Sequence, residues 1–506
     1  CLLFMVFFVL LASFVIANTT PPSVYPVDEY HFNATIDHFN FRPTPPGTYS
    51  MRYYVNDKSW NRERGGPIFF YAGNEADIFT FVNNSGFMFD TAKELSAMVV
   101  FAEHRYYGLS NPFGSKAFDK PDHISYLTVE QAMEDFNELL VYLREKWQVP
   151  EESAAIVFGG SYGGNLAMWL RLKNPNLWAG AIASSATPLK HLLRTTNGFA
   201  RIETEAYGNY SSKCPDLVRA GFADLFEYAK TEDGRKKIGE VMGLCGPLPD
   251  EASAGDVYGW CDGALETMTQ YGYPYPTNFY NPVPGFPYKK ACQGMLDAGT
   301  GLGALRAAVN IYYNYTGQAG KCFHLFGQGG VVEQSKAHKR RQGAIHGLDS
   351  SFSETQDGWG YQCCTEVYQP MPTNGITDFY LPSTPNKTQY FENCNATWGV
   401  IPRPNWEEHH FMGSFIGAGS NIFLTCGEVD PWRAAGIQST EMIKNPDPSI
   451  ITRVIKDAAH HYDLRGSHPL DTPSVIAVRK EEKAAMRKWM SEWKEISRSG
   501  TPLPTK

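Results

Sequence analysis

Ser161 sits between glycines in Gly159-Gly160-Ser161-Tyr162-Gly163-Gly164, after the apolar run Ala154 to Phe158 and before Asn165-Leu166-Ala167-Met168-Trp169-Leu170. A serine where a strand hands over to a helix is laid out as a nucleophile elbow, whose strained turn lifts the hydroxyl clear of the sheet and whose glycines avoid collision with neighbouring backbone. A hydroxyl needs a base to take its proton and a carboxylate to hold that base, and after such an elbow they follow in the order Ser, Asp, His. Asn421 to Thr425 reads as a short buried strand, and the turn Cys426-Gly427-Glu428-Val429-Asp430-Pro431-Trp432 places Asp430 beyond its C-terminal end. Ile450 to Ile455 is a second β-branched strand, and Asp457-Ala458-Ala459-His460-His461-Tyr462-Asp463 follows it. His460 or His461 then stands on the loop after the last strand; we take His460 as general base and Asp430 as its orienting acid. Each motif alone is a common turn, and the weight lies in their conjunction and order.

An acyl-transfer site also needs donors for the developing oxyanion. The N–H of Tyr162, next to the nucleophile, is one candidate, and the loop Ala72-Gly73-Asn74-Glu75 after the strand Pro67 to Tyr71 offers a second at Gly73 or Asn74. No H-E-x-x-H motif or paired C-x-x-C occurs, so neither a metal nor another cofactor is expected.

These residues must be carried by a scaffold. Between 45 and 190, strands and helices alternate: Met88 to Leu95 as helix, Ala97 to Glu103 as strand, Thr128 to Trp147 as a long amphipathic helix, Ala154 to Phe158 and Gly180 to Ser184 as strands. Such alternation makes a mostly parallel sheet covered on both faces. From 191 to 400 helices broken by Gly, Pro and aromatic loops take over, with most of the cysteines. The expected architecture is α/β, an α/β-hydrolase fold with an inserted, disulfide-rich, mainly helical cap: a leader over 1–17, a first core part over 18–190, the cap over 191–400 and a second core part over 401–506, closed by a helix from Ser474 to Ile496. A lid over the carboxyl ends of the strands leaves a cavity that admits chain ends, which suits an exopeptidase.

The chain resembles the serine peptidase family that includes lysosomal Pro-Xaa carboxypeptidase and dipeptidyl peptidase II. The resemblance runs from Ile36-Asp37-His38-Phe39-Asn40 through Phe69-Phe70-Tyr71-Ala72-Gly73-Asn74-Glu75, Glu103-His104-Arg105-Tyr106-Tyr107-Gly108 and the elbow. It continues through Tyr273-Pro274-Tyr275-Pro276-Thr277, Cys364-Thr365-Glu366, Trp398-Gly399-Val400 and Asp430-Pro431-Trp432 to Ala459-His460-His461 and Asp463-Leu464-Arg465. It implies a triad of Ser161, Asp430 and His460 acting on peptides with proline near one end. Three departures stand out: Thr425-Cys426-Gly427 where the family has Ser-Asn-Gly, Arg433-Ala434-Ala435-Gly436 where it has a glycine run, and Asn165 where it has an apolar Met. If Asn165 lines the pocket it makes the site more polar; Trp432 is kept and can stack on a proline ring. His461 and Arg465 either adjust the base or contact substrate, or pack in the loop with a salt bridge from Arg465 to Asp463 or Asp457. A dipeptidyl peptidase needs a carboxylate for the free amine, with Glu75 and Asp77 as candidates; a carboxypeptidase needs a cation, with Arg433 and Arg465. Wording around Leu464-Arg465-Gly466-Ser467-His468-Pro469 leans toward the dipeptidyl branch, with release of Xaa-Pro or Xaa-Ala dipeptides expected and a Pro-Xaa carboxypeptidase as the alternative. An esterase or lipase, or an inactive hydrolase-fold binding protein, is the remaining pair of readings; the second is disfavoured by an intact set of three residues.

The rest of the sequence agrees. A chain of 506 residues with 43% apolar content builds a large core, and its formal charge of −8 disfavours nucleic acid and anionic membranes as partners. Peptide substrates are the expected partners, and a homodimer is left open. Leu2 to Ala17 is apolar, too short for a comfortable span and ends in a small residue, as a secretory leader does; starting at Cys1 without Met or a basic n-region, it reads as truncated. No stable membrane association is expected, and the compartment is the secretory pathway, either lysosome or vacuole or outside the cell. Cys214, Cys245, Cys261, Cys292, Cys322, Cys363, Cys364 and Cys394 are expected to pair as disulfides, with connectivity open and Cys426 as a free buried thiol. N-x-S/T acceptors at Asn18, Asn33, Asn83, Asn209, Asn314, Asn386 and Asn395 are glycosylation candidates behind a leader.

Overall fold

A computed structural model describes residues 24–41, 47–299, 301–326 and 356–499; the leader and Asn18 lie outside the described residues. Eight strands form one sheet: β1 (Asp28–Thr35), β2 (Thr48–Asn56), β3 (Ile68–Ala72), β4 (Met98–Ala102), β5 (Ala155–Gly160), β6 (Gly180–Ser184), β7 (Ile422–Gly427) and β8 (Ile451–Ile455), in the order β1-β2-β4-β3-β5-β6-β7-β8. β1 and β2 pair antiparallel, β2 pairs antiparallel with β4, and the remaining pairings are parallel. The central strands β3 to β6 are buried along their whole length, as their apolar runs require in a sheet covered on both faces.

One face is covered by α1 (Ile78–Asn84), α2 (Gly86–Leu95) and the last helix, and the other by α3 (Val129–Lys146) and α4 (Tyr162–Lys173). α3 shows why the local sequence folds this way. The Thr128 side chain accepts the Gln131 N–H at its start, Ala132, Met133, Phe136, Leu139, Leu140 and Leu143 make its buried stripe, and Arg144 and Lys146 occupy its last turn. Phe70 of β3 packs edge-on against both Phe136 of α3 and Trp178, 5.7 and 5.1 Å between ring centres.

β6 ends at Ser184 and β7 begins at Ile422, and the described chain between them is mainly helical. Two of its helices reach the functional residues: α5 (Ala254–Gln270) and α6 (Gln356–Cys364), with α7 (Lys387–Trp398) behind α6. Disulfides Cys214–Cys292, Cys245–Cys322 and Cys364–Cys394 staple this segment. Cys261 and Cys363 are buried free thiols instead of the disulfide partners expected, and burial pushes both up, the second to about 12. Neither needs a disulfide: each is a small apolar side chain filling a packed interior. Cys426 is free and buried as expected. Of the glycan acceptors, Asn33, Asn209, Asn386 and Asn395 are exposed, while Asn83 and Asn314 are partly buried. The chain closes with α8 (Pro473–Arg498), whose Trp489 lies so close to Gly180 that a Cβ there would fall 2.2 Å from the indole ring.

Candidate active site

β5 turns directly into α4, and Ser161 at the turn has φ 61° and ψ −127°, a backbone strain that non-glycine residues hold only where the surroundings enforce it. The surroundings are the elbow glycines. A Cβ on Gly159 would fall 1.9 Å from the Gly163 carbonyl oxygen, and one on Gly164 2.6 Å from that of Ser184. Ser161 is itself held by its N–H, which donates to the Ser184 carbonyl at 2.9 Å. Tyr162 opens α4, so its N–H is among those that a helix leaves without an internal partner.

Asp430 follows β7 and His460 follows β8. His460 Nδ1 lies 2.8 Å from Asp430 Oδ2, with both side chains buried to 1% exposure or less, and the other Asp430 oxygen accepts the Trp432 N–H at 3.0 Å. The carboxylate is thus fixed on both oxygens and the imidazole has one orientation. His460 Nε2 is buried with no hydrogen-bond partner among the described residues. The main chain of His460 is clamped from the helical segment: its N–H donates to the Gln270 carbonyl at 3.0 Å, and its carbonyl accepts the Tyr273 hydroxyl at 2.8 Å. The next residue brings the loop to the elbow, because a Cβ on Gly160 would lie 3.0 Å from the His461 ring. Burial, then the neighbouring His460 and Arg465, holds His461 well below its ordinary value, so it stands neutral.

The loop after β3 corrects one expectation. The Gly73 N–H donates to the Ala102 carbonyl at 3.0 Å, so it is engaged in extending the β3–β4 ladder and is not an oxyanion donor. Gly73 is needed for close packing: a Cβ would fall 2.2 Å from that same carbonyl. Asn74 is buried, its amide Nδ2 donates to Glu75 at 2.8 Å, and its Oδ1 faces Gly163 of the elbow. Glu75 is partly buried, and desolvation raises its carboxyl above the usual range. Asp77, the other carboxylate considered for an amine, caps α1 and pairs with Arg52 at 2.7 Å.

Asn165 does not bring a free amide to a pocket. It is fully buried, its Nδ2 donates to Thr187 Oγ1 at 3.2 Å and its Oδ1 accepts the Thr187 N–H at 2.7 Å, which ties α4 to the loop after β6. Arg465 makes no ion pair with Asp463 or Asp457: it donates to Asn84 Oδ1 and lies over Tyr273, 4.7 Å from the ring centre. Arg433 donates to the Glu428 carbonyl and to Gln438. Trp432 packs edge-on against Phe199 with ring centres 4.9 Å apart.

Sequence reading missed the support around Tyr162. Its hydroxyl lies 3.1 Å from His104 Nε2 and accepts from Gln362 Nε2 at 3.0 Å, while Gln362 Oε1 accepts the Tyr107 hydroxyl at 2.5 Å. His104 and Tyr107 lie in one of the motifs quoted for the family; Gln362, on α6, carried no signal. Burial lowers His104 to about 4, so this relay is neutral in ordinary buffers. Among the described residues the only close group of metal-type ligands is Cys245, Cys322 and His324, and its two sulfurs are joined as a disulfide.

The strand order, the elbow after β5 and the loops after β7 and β8 make this molecule an α/β hydrolase. It belongs to the serine carboxypeptidase S28 family, whose model matches residues 34–482, and is therefore a serine-type peptidase. Among curated proteins it is similar to lysosomal Pro-X carboxypeptidase of Bos taurus, with 36% identity over 90% of this chain and 87% of that protein, and to that of Homo sapiens, with 35% identity over 92% and 88%. The thymus-specific serine protease of Homo sapiens is a more distant relative at 25% identity. The lean toward the dipeptidyl branch finds no support among these relatives. Among the described residues no helix is long and apolar enough to cross a membrane.

Proposed function

We propose that this chain is a serine exopeptidase of the lysosomal and secretory pathway that removes the residue following proline at the C-terminus of peptides. The observation that carries this reading is the similarity over nine-tenths of the chain to Pro-X carboxypeptidases. Glu75 supports it chemically. Burial raises its carboxyl above the usual range, which weakens it as an anchor for the free ammonium that a dipeptidyl peptidase must grip and favours the form that can donate a hydrogen bond to a terminal carboxylate.

Ser161 attacks the prolyl carbonyl while His460 Nε2, buried and without a partner among the described residues, receives its proton. Asp430 stabilises the imidazolium, and the N–H groups of Tyr162 and Asn74 hold the oxyanion. His460 then protonates the leaving amino acid, and water, activated by the same imidazole, releases the proline-ended peptide from Ser161. The helices between 191 and 400 act as a cap that admits chain ends, with Trp432 and Phe199 as the aromatic pair offered to the proline ring. The test is cleavage of N-blocked peptides ending Pro-Xaa against Xaa-Pro peptides with a free N-terminus, with Ser161→Ala as control. Loss of the C-terminal residue from the first set, abolished in the variant, is expected; cleavage of only the second set would sink the carboxypeptidase reading.

A further inference from the structure

The buried stripe of α8 runs Val475, Val478, Arg479, Glu482, Ala485, Met486, Trp489 and Trp493, which puts a carboxylic acid where an apolar side chain belongs. Glu482 is fully buried, and no N–H or O–H of the described residues reaches either of its oxygens. One turn earlier on the same helix face, Arg479 donates to the Asp463 carbonyl at 2.8 Å, which brings Glu482 beside the Asp463 carboxyl. Asp463 is three residues beyond His460 and only 1% exposed. Its two oxygens accept from Ser184 Oγ at 2.5 Å and Thr425 Oγ1 at 2.8 Å, which pins the base loop to the ends of β6 and β7. The same Ser184 holds the Ser161 N–H through its carbonyl, and the neighbouring Ser185 Oγ accepts the His461 N–H at 2.8 Å.

Two carboxyls in contact without a cation between them cannot both be ionised. The nearest cation, Arg479, is already engaged: its Nε and NH2 donate to the carbonyls of Asp463 and Tyr462, and its NH1 pairs with Asp471 at 2.6 Å. Glu481 on the same helix points outward to Arg453. The charge of Asp463 also acts on the Cys426 thiol of β7 and on the Tyr273 phenol, which donates to the His460 carbonyl; burial raises both, so both are neutral. With both Asp463 oxygens accepting hydroxyls, Glu482 is the carboxyl left without a donor among the described residues.

We propose that Asp463 and Glu482 are positioning residues that share one proton, and that this proton keeps the His460 loop seated on β6 and β7, so that its loss as the medium turns alkaline unseats the base. The inference rests on His460 being the base. Burial and the neighbouring Asp463 raise Glu482 well above the ordinary carboxyl value, so the folded protein holds this proton more tightly than the unfolded chain does.

The test uses Glu482→Gln, whose amide donates to Asp463 at every pH. The readout is the pH profile of Ser161 phosphonylation by a fluorophosphonate ester, which reports activation of the nucleophile whatever the peptide specificity. A failure of the carboxypeptidase reading therefore leaves this test intact. The alkaline limb of the variant is expected to move up by about one pH unit, leaving roughly tenfold more reactivity than wild type on that limb. Superimposable profiles overturn the proposal. A second readout is the infrared band of protonated carboxyl in the whole protein at pH 6, expected to lose intensity in Glu482→Gln and, should that variant not fold, in Asp463→Asn, where Glu482 ionises against an amide donor. An unchanged band shows that no proton is shared. A diminished band with an unmoved profile overturns the positioning of His460.

Discussion

The hydroxyl of Tyr273 does for the backbone of His460 what Asp430 does for its ring. Asp430 fixes the rotation of the imidazole, and Tyr273 with Gln270 fixes the height of the loop that carries it. Tyr273→Phe removes one buried hydrogen bond and leaves a carbonyl unsatisfied, a cost of about 1–3 kcal/mol. Because the lost contact orients the base and does not touch substrate, we expect kcat to fall roughly tenfold with KM within about twofold, read from steady-state kinetics at fixed pH. A rise in KM at constant kcat would instead place Tyr273 in substrate binding. At this scale the sequence exposed the groups with reactive side chains and hid those whose work is positional. Ser161, Asp430 and His460 stand out because glycines, strand ends and chain order frame them. Gln362 and Glu482 have no such frame, since what they do depends on tertiary neighbours far away in the chain. Asn165 shows the reverse: its place after the elbow suggested a pocket, but a short amide inside the core found a partner in Thr187 first.

The interior strands were legible because they are short apolar runs bounded by turns: Gly180 to Ser184 was read to the residue, and β3, β4, β5, β7 and β8 within two. The β1–β2 hairpin was not. β1 alternates exposed and buried residues on the sheet edge, and β2 mixes Arg52 and three tyrosines into its interior, so neither shows a continuous apolar run. The polar residues make sense once paired. Arg52 meets Glu103 at 2.5 Å beneath the loop after β4, and Arg105 two residues on makes a two-pronged contact with Asp135 of α3 at 2.6 and 2.7 Å. Arg105 also donates to the carbonyls of Thr35, Ile36 and Tyr126, so one guanidinium joins the edge hairpin, the β4 loop and α3. Asp135→Asn breaks that fork and leaves a buried cation without its counter-charge, so we expect a loss of about 3–5 kcal/mol in unfolding free energy, measured from denaturant midpoints at constant slope. A loss below about 1 kcal/mol would mean that the carbonyls alone satisfy Arg105.

At the scale of the molecule, buried acids decide how stability responds to pH. Glu203, Glu366 and Glu482 are all held well above the ordinary carboxyl value by burial and by neighbouring acids, and burial raises Glu407 to about 7. For each, the folded state binds the proton more tightly than the unfolded chain, so its contribution is complete below the ordinary carboxyl value and is lost as pH rises through the folded value. Buried His104 and His461 act in the opposite sense: both are lowered, so the unfolded chain takes up protons first and stability is lost as pH falls below their ordinary value of 6.5. Asp135, lowered by Arg105, loses its contribution in more acid still. Above 6.5 the histidines have nothing further to add, while the folded state still holds carboxyl protons that the unfolded chain has already released. The thermal midpoint is therefore expected to be lower at pH 8 than at pH 6, and Glu366→Gln, which removes one of the retained protons, should narrow that gap. Equal midpoints at the two pH values, or a higher one at pH 8, would mean that these acids ionise without cost in the folded state.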